Sequence, residues 1–141
     1  IDGGNHCCMI FCDLSKAFDR VWHKGLVYKL QSYGVSGPIF EWFISYLSNR
    51  SQKVMCRNKF SSVGYINAGV PQGSVLGPLL FLLYVNDVAE NMRSVCRLYA
   101  DDNSLQQRSD DIHVMEDNLN YDLKVFYEWS KNGFYSSIHK K

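Results

Sequence analysis

The chain has 141 residues, a formal charge of +1, 46% hydrophobic and 21% charged residues. That is long enough for one compact domain with a real core and too apolar for a disordered segment. The near balance of charge argues against a dedicated, strongly basic nucleic-acid-binding module. Five cysteines with no C-x-x-C pair fit small buried hydrophobes in a reducing compartment better than a disulfide framework or a zinc site.

In chain order, residues 7–14 (CCMIFCDL) are almost wholly apolar and predict a strand covered on both faces. Residues 25–33 place Leu26, Leu30 and Tyr33 at helical spacing before a stop at Gly34. Ser36-Gly37-Pro38 opens a second helix with Ile39, Phe43 and Leu47 on one stripe. Residues 52–56 and 60–66 read as two strands around a turn at Asn58. Residues 69–74 form a loop, and 78–87 a buried helix. The apolar run 75–85 around it is too short to span a bilayer.

Two short runs, 95–98 and 104–107, predict a hairpin whose turn holds Tyr99-Ala100-Asp101-Asp102. Neighbouring strand residues point to opposite faces, so adjacent aspartates converge only where the chain turns. Two carboxylates about 4 Å apart repel by roughly 4 kcal/mol at an effective dielectric near 20, and a proton or a divalent cation is the usual remedy. Residues 110–129 predict an amphipathic helix with Ile112, Met115, Leu119, Leu123 and Phe126 inward, ended by Gly133. Residues 134–138 predict a last strand. The order β-α-α-β-β-α-β-β-α-β predicts one α+β domain with an antiparallel sheet and helices on one side. Both ends of the chain, Ile1 and Lys141, read as cuts within a longer polypeptide.

Asp13 stands at the end of an otherwise apolar strand, where a buried carboxylate must be paired, hydrogen-bonded or metal-bound. If that strand lies beside the hairpin, three carboxylates meet at one sheet edge and suit Mg²⁺. A salt bridge from Asp13 to Lys16 or Arg20 is the structural alternative.

Three ordered segments carry a resemblance: Phe11-Cys12-Asp13-Leu14-Ser15-Lys16-Ala17-Phe18-Asp19-Arg20-Val21, then Gly69-Val70-Pro71-Gln72-Gly73-Ser74-Val75-Leu76-Gly77-Pro78, then Tyr99-Ala100-Asp101-Asp102. They resemble the successive A, B and C motifs of reverse transcriptases, in the form found in non-LTR, LINE-type, jockey-like retrotransposons. The resemblance covers nearly the whole chain and implies a partial, palm-like domain over 1–141, with the N-terminal fingers segment and the thumb outside it. A balanced charge is no obstacle to that reading, because acidic metal ligands cancel basic contacts.

By position, the resemblance makes Asp13, Asp101 and Asp102 catalytic metal ligands, with the Leu14 carbonyl as an extra ligand for two Mg²⁺ ions (Mn²⁺ as the alternative). Phe18 matches the bulky residue that excludes a 2′-hydroxyl, with core packing as its other reading. Gln72 and Gly73 match the loop that touches the incoming nucleotide and template base, and Tyr99 belongs to the same substrate surface. Gly77-Pro78 is expected to be structural, and Asp19 to hydrogen-bond away from the metals. Residues 129–140 resemble the D motif, whose lysine assists pyrophosphate release and matches Lys140; the following threonine of the family is Lys141 here. His23, His113 and His139 receive no role.

The implied activity is RNA-directed DNA polymerisation on an RNA template with a DNA primer and dNTPs. No membrane partner is implied, and the expected setting is intracellular, cytoplasm and nucleus. The isolated segment is expected to have little activity. The competing reading is a catalytically inactive palm of a degenerate or domesticated element that serves only as a structural or nucleic-acid-binding module.

Overall fold

A computed structural model describes residues 6–132. The predicted Gly133 stop, the strand at 134–138 and Lys140 lie outside the described residues. The elements in chain order are β1 (His6–Asp13), α1 (His23–Ser32), α2 (Gly37–Leu47), β2 (Arg50–Gln52), β3 (Met55–Cys56), β4 (Lys59–Phe60), β5 (Gly64–Ile66), α3 (Leu76–Val85), β6 (Val95–Tyr99), β7 (Asp102–Ser109) and α4 (Ile112–Asn132). Short 3₁₀ turns span Ala17–Arg20 and Asn86–Ala89. The arrangement is an α+β fold with antiparallel sheets, as the pattern predicts. Its contacts divide into two compact units, residues 6–15 with 85–132 and Lys16–Tyr84.

The first unit is a three-stranded antiparallel sheet ordered β1-β7-β6. Leu105 of β7 and Met115 and Leu119 of α4 form its buried centre, with Cys8, Ile10, Cys12, Met92, Cys96 and Leu123 packed around them. A fully buried Leu or Met side chain such as these three contributes roughly 1.5–3 kcal/mol. Burial along β1 alternates, so the strand is covered on one face only. Phe11 is 78% exposed, which corrects the two-sided cover expected from the sequence. A run in which Cys, Met, Ile and Phe fill both faces hides its own period.

In α4 the buried stripe is Met115, Leu119, Asp122, Phe126 and Trp129, while Ile112 is 50% exposed. Ile112 begins the helix, ahead of the turns that meet the sheet, so its inward assignment is corrected. Asp122 is fully buried because it accepts two backbone N–H groups, from Arg93 at 2.8 Å and Ser94 at 2.8 Å. Those donors precede β6, so a helix carboxylate fixes where the strand begins. Trp129 Nε1 donates to the buried Asp87 at 3.0 Å, tying the far end of α4 to the 3₁₀ turn after α3.

The second unit packs α1 beside α2 and buries Val21, Leu26, Leu30, Leu47, Val70, Leu80 and Phe81. Lys29 is buried, donates to the Tyr84 carbonyl and sits 4.8 Å over the Tyr84 ring centroid. The predicted hairpin is present but interrupted: β2 pairs β5 and β3 pairs β4. Between the two pairs Ser61 bonds Val54 twice, from its backbone N–H at 2.9 Å and as a side-chain acceptor at 3.0 Å. Arg57 and Asn58 both have positive φ at the tip, as a tight two-residue hairpin turn requires.

Candidate active site

The register of the first unit decides how its carboxylates meet. Asp13 is the direct cross-strand partner of Asp102, and Asp102 is the partner of Tyr99. Asp13, Asp102 and Tyr99 therefore form one row across three strands, on the face that also exposes Phe11, with Tyr99 83% exposed. Asp13 itself is exposed, not buried as its apolar flank suggested.

The turn is made by Ala100, whose φ of 53° is a left-handed value that a residue with a Cβ adopts only under constraint. That constraint includes Asn103, buried on the opposite face, whose Nδ2 donates to the Asp101 carbonyl at 3.0 Å. Asp101 is thus held in the turn next to the Asp13–Asp102 pair. Like charges directly opposite on neighbouring strands are destabilising, and oxygen donors of this kind suit a hard divalent cation. The donor chemistry fits magnesium. No three His, Cys, Asp or Glu side chains among the described residues are drawn together tightly enough to enclose an ion. The geometry supplies a cross-strand pair with a third carboxylate in the adjacent turn, not a closed cage.

In the second unit, the loop 69–74 is built by close backbone contact with residues 18–21. Gly69 N–H donates to Val21 O at 2.7 Å and Val70 N–H to Phe18 O at 2.8 Å. Gly69 has φ +92°, and a Cβ there would lie 3.0 Å from the Asp19 Cα and O and from the Phe18 O, so only glycine permits the approach. Ser74 closes the loop, donating to Pro71 O at 2.7 Å and accepting from Gly77 N–H at 3.0 Å. A Cβ at Gly77 would fall 2.5 Å from Pro71 O. Gln72 and Gly73, φ +79°, stay exposed at the tip. A cleft of about 780 Å³ runs along the loop, lined among others by Lys16, Asp19, Gln52, Tyr65 and Gln72. Phe18 is half-buried, its ring stacked on Phe81 at 4.3 Å between centroids.

The family model described as reverse transcriptase (RNA-dependent DNA polymerase) matches residues 2–139. The chain belongs to the reverse transcriptase family. It is 40% identical over 129 residues to the RNA-directed DNA polymerase from mobile element jockey of Drosophila funebris, covering 85% of this chain and 14% of that protein. The "Probable RNA-directed DNA polymerase from transposon BS" of Drosophila melanogaster is 35% identical over 138 residues, covering 92% of this chain and 15% of that protein. The X-element polymerase of the same fly, also named as probable, is 36% identical over 135 residues. The chain therefore spans 14–15% of the length of the curated relatives it matches.

Within this reverse transcriptase segment, the structure brings Asp13, Asp102 and Tyr99 together, with Asp101 beside them and the half-buried Leu14 directly after β1. Phe18, Gln72 and Gly73 belong to the second unit, and Lys140 lies outside the described residues. One feature escaped the net-charge argument. Between Glu41 and Asp87 the reverse transcriptase chain has no acidic residue but carries Arg50, Lys53, Arg57 and Lys59. All four lie in the β2–β5 hairpin, where every residue from 48 to 65 is exposed and Tyr65 is 79% exposed. Charge counted by segment would have found this patch; charge summed over the chain cancels it.

Proposed function

We propose that this segment carries the metal-binding and nucleotide-binding residues of an RNA-directed DNA polymerase. The reaction adds dNMP to a primer: the 3′-oxygen attacks the α-phosphorus, the bond to the β-phosphate oxygen breaks, and pyrophosphate leaves. The observation that carries the reading is the cross-strand pair Asp13–Asp102 beside the turn-borne Asp101 on an exposed sheet face.

Asp13, Asp101 and Asp102, with the Leu14 carbonyl, would hold two Mg²⁺ ions, or Mn²⁺ in their place. When bound, such ions activate the attacking hydroxyl and neutralise charge on the leaving oxygens. The chain's own residues position the substrates. Phe18, its ring held against Phe81, leaves no volume for a ribose 2′-oxygen and offers it no hydrogen bond. Gln72 and Gly73 present amide groups to the incoming nucleotide and the template base, Tyr99 flanks the carboxylates, and Lys140 would assist pyrophosphate release. The acid-free hairpin supplies cations and exposed aromatic rings, the combination that tracks a phosphate backbone and stacks bases, which supports an RNA template as partner. The setting is the cytoplasm and the nucleus.

Primer extension by the polypeptide containing this segment tests the reading. Asp13→Asn and Asp101→Asn should each abolish incorporation, while circular dichroism stays unchanged. Phe18→Ala should admit ribonucleotides. Full activity in either aspartate variant would overturn the assignment, and unchanged sugar selection would remove Phe18 as the gate.

A further inference from the structure

We infer that Asp19 is a positioning residue for Gln72, holding its amide in one orientation for the incoming nucleotide. This rests on the reading of Gln72 as a nucleotide contact. Gln72 Nε2 donates to Asp19 Oδ1 at 2.9 Å, across 53 positions of sequence. An ionised carboxylate can only accept, so the contact fixes which end of the amide faces Asp19. The Gln72 oxygen and its second N–H remain for a ligand in the cleft that both residues line with Lys16.

An exposed hydrogen bond between long side chains is ordinarily a passing contact. Here its two ends stand on one rigid mount. The backbone beside Asp19 bonds the loop through Gly69 to Val21 and Val70 to Phe18, Trp22 forms a bridge with Ala68, and His23 Nε2 contacts the Gly69 carbonyl at 2.7 Å. Gly69 is pressed against the Asp19 backbone itself. The carboxylate therefore reaches Gln72 from a fixed origin, and the glutamine loses rotamers before substrate arrives instead of on binding, which is how pre-organisation raises affinity. Phe18 belongs to the same mount, its carbonyl accepting from Val70 N–H.

The test is steady-state incorporation by the polypeptide containing this segment, with KM for dNTP and kcat measured separately. Asp19→Ala should raise KM about fivefold with kcat changed less than twofold. Asp19→Asn keeps an acceptor oxygen and should recover most of the loss. Gln72→Ala should raise KM by itself, and adding Asp19→Ala to it should cost nothing more. Additive losses would overturn the positioning role, as would an Asp19→Asn as impaired as Asp19→Ala. An unchanged KM in Gln72→Ala would overturn the nucleotide reading beneath it. A second measurement needs no activity: the Gln72 side-chain amide signals in a ¹H–¹⁵N spectrum of this chain. They should stand apart from those of solvated glutamines and move to that position in Asp19→Ala; signals already there in the unsubstituted chain would refute the held orientation.

Discussion

Removing one charge from the Asp13–Asp102 pair should make the chain more stable when no divalent cation is present. Directly opposed residues on antiparallel strands have Cβ atoms about 4.5–5.5 Å apart, and both carboxylates are exposed. Two unit charges about 5 Å apart in a water-like dielectric repel by roughly 1 kcal/mol, and by more where the sheet displaces solvent. Asp102→Asn should therefore raise stability by about 1 kcal/mol in chelator at low salt, a shift of roughly 3–5 °C in Tm for a chain of this size. The gain should shrink as ionic strength rises past about 0.1 M, where the screening length falls to about 10 Å. Millimolar Mg²⁺ should stabilise the unsubstituted chain and do less for the variant, because binding to the folded state adds RT ln(1 + [L]/Kd). Thermal unfolding by circular dichroism with and without Mg²⁺ measures all of this. A variant with unchanged or lower Tm in chelator would mean that the two carboxylates do not feel each other, and the metal-binding reading would lose its physical basis.

Asp122→Ala should cost about 2–4 kcal/mol in urea unfolding, because it strands the Arg93 and Ser94 N–H groups at a buried site. Gly69→Ala should cost about 1–3 kcal/mol and reduce nucleotide affinity, since it adds a Cβ at positive φ against backbone; a neutral result by the same assay would mean that the loop relaxes freely. Neutralising Lys53, Arg57 and Lys59 together should weaken RNA binding uniformly across sequences and flatten its salt dependence by about three phosphate contacts, read by fluorescence anisotropy. Burial raises the Cys12 and Cys96 thiols above their ordinary 9.0, with Cys12 and Asp122 raising Cys96 further. Because the folded values are the higher ones, stability is full below the ordinary value and falls as pH rises through the raised ones. Unfolding should become easier above about pH 9, and Cys12→Ala with Cys96→Ala should remove that slope.

The hairpin with its aspartates was legible because Tyr99-Ala100-Asp101-Asp102 sits between two short strand patterns, and register then follows from the turn. What the pattern hid was β1's open face, because Met9 and Phe11 are as apolar as the Ile10 that packs inward. Asp122 was missed for the opposite reason. It sits three residues after Leu119 and four before Phe126, squarely on the inward stripe, but a carboxylate there looks like surface until its two backbone donors are seen. The link from Asp19 to Gln72 joins residues 53 positions apart, and no local signal announces it. The basic hairpin was visible in the composition of residues 42–86 and vanished only in the total.

That hairpin has a consequence for how such a sequence can change. With nothing from 48 to 65 inside a core, substitutions there that spare the Arg57-Asn58 turn and Ser61 trade little folding energy, whereas Gly69 and Gly77 of the neighbouring loop are pressed against backbone. The hairpin surface can therefore drift while the Gly69 and Gly77 contacts stay fixed, which on the proposed reading lets the hold on RNA change without altering the nucleotide loop.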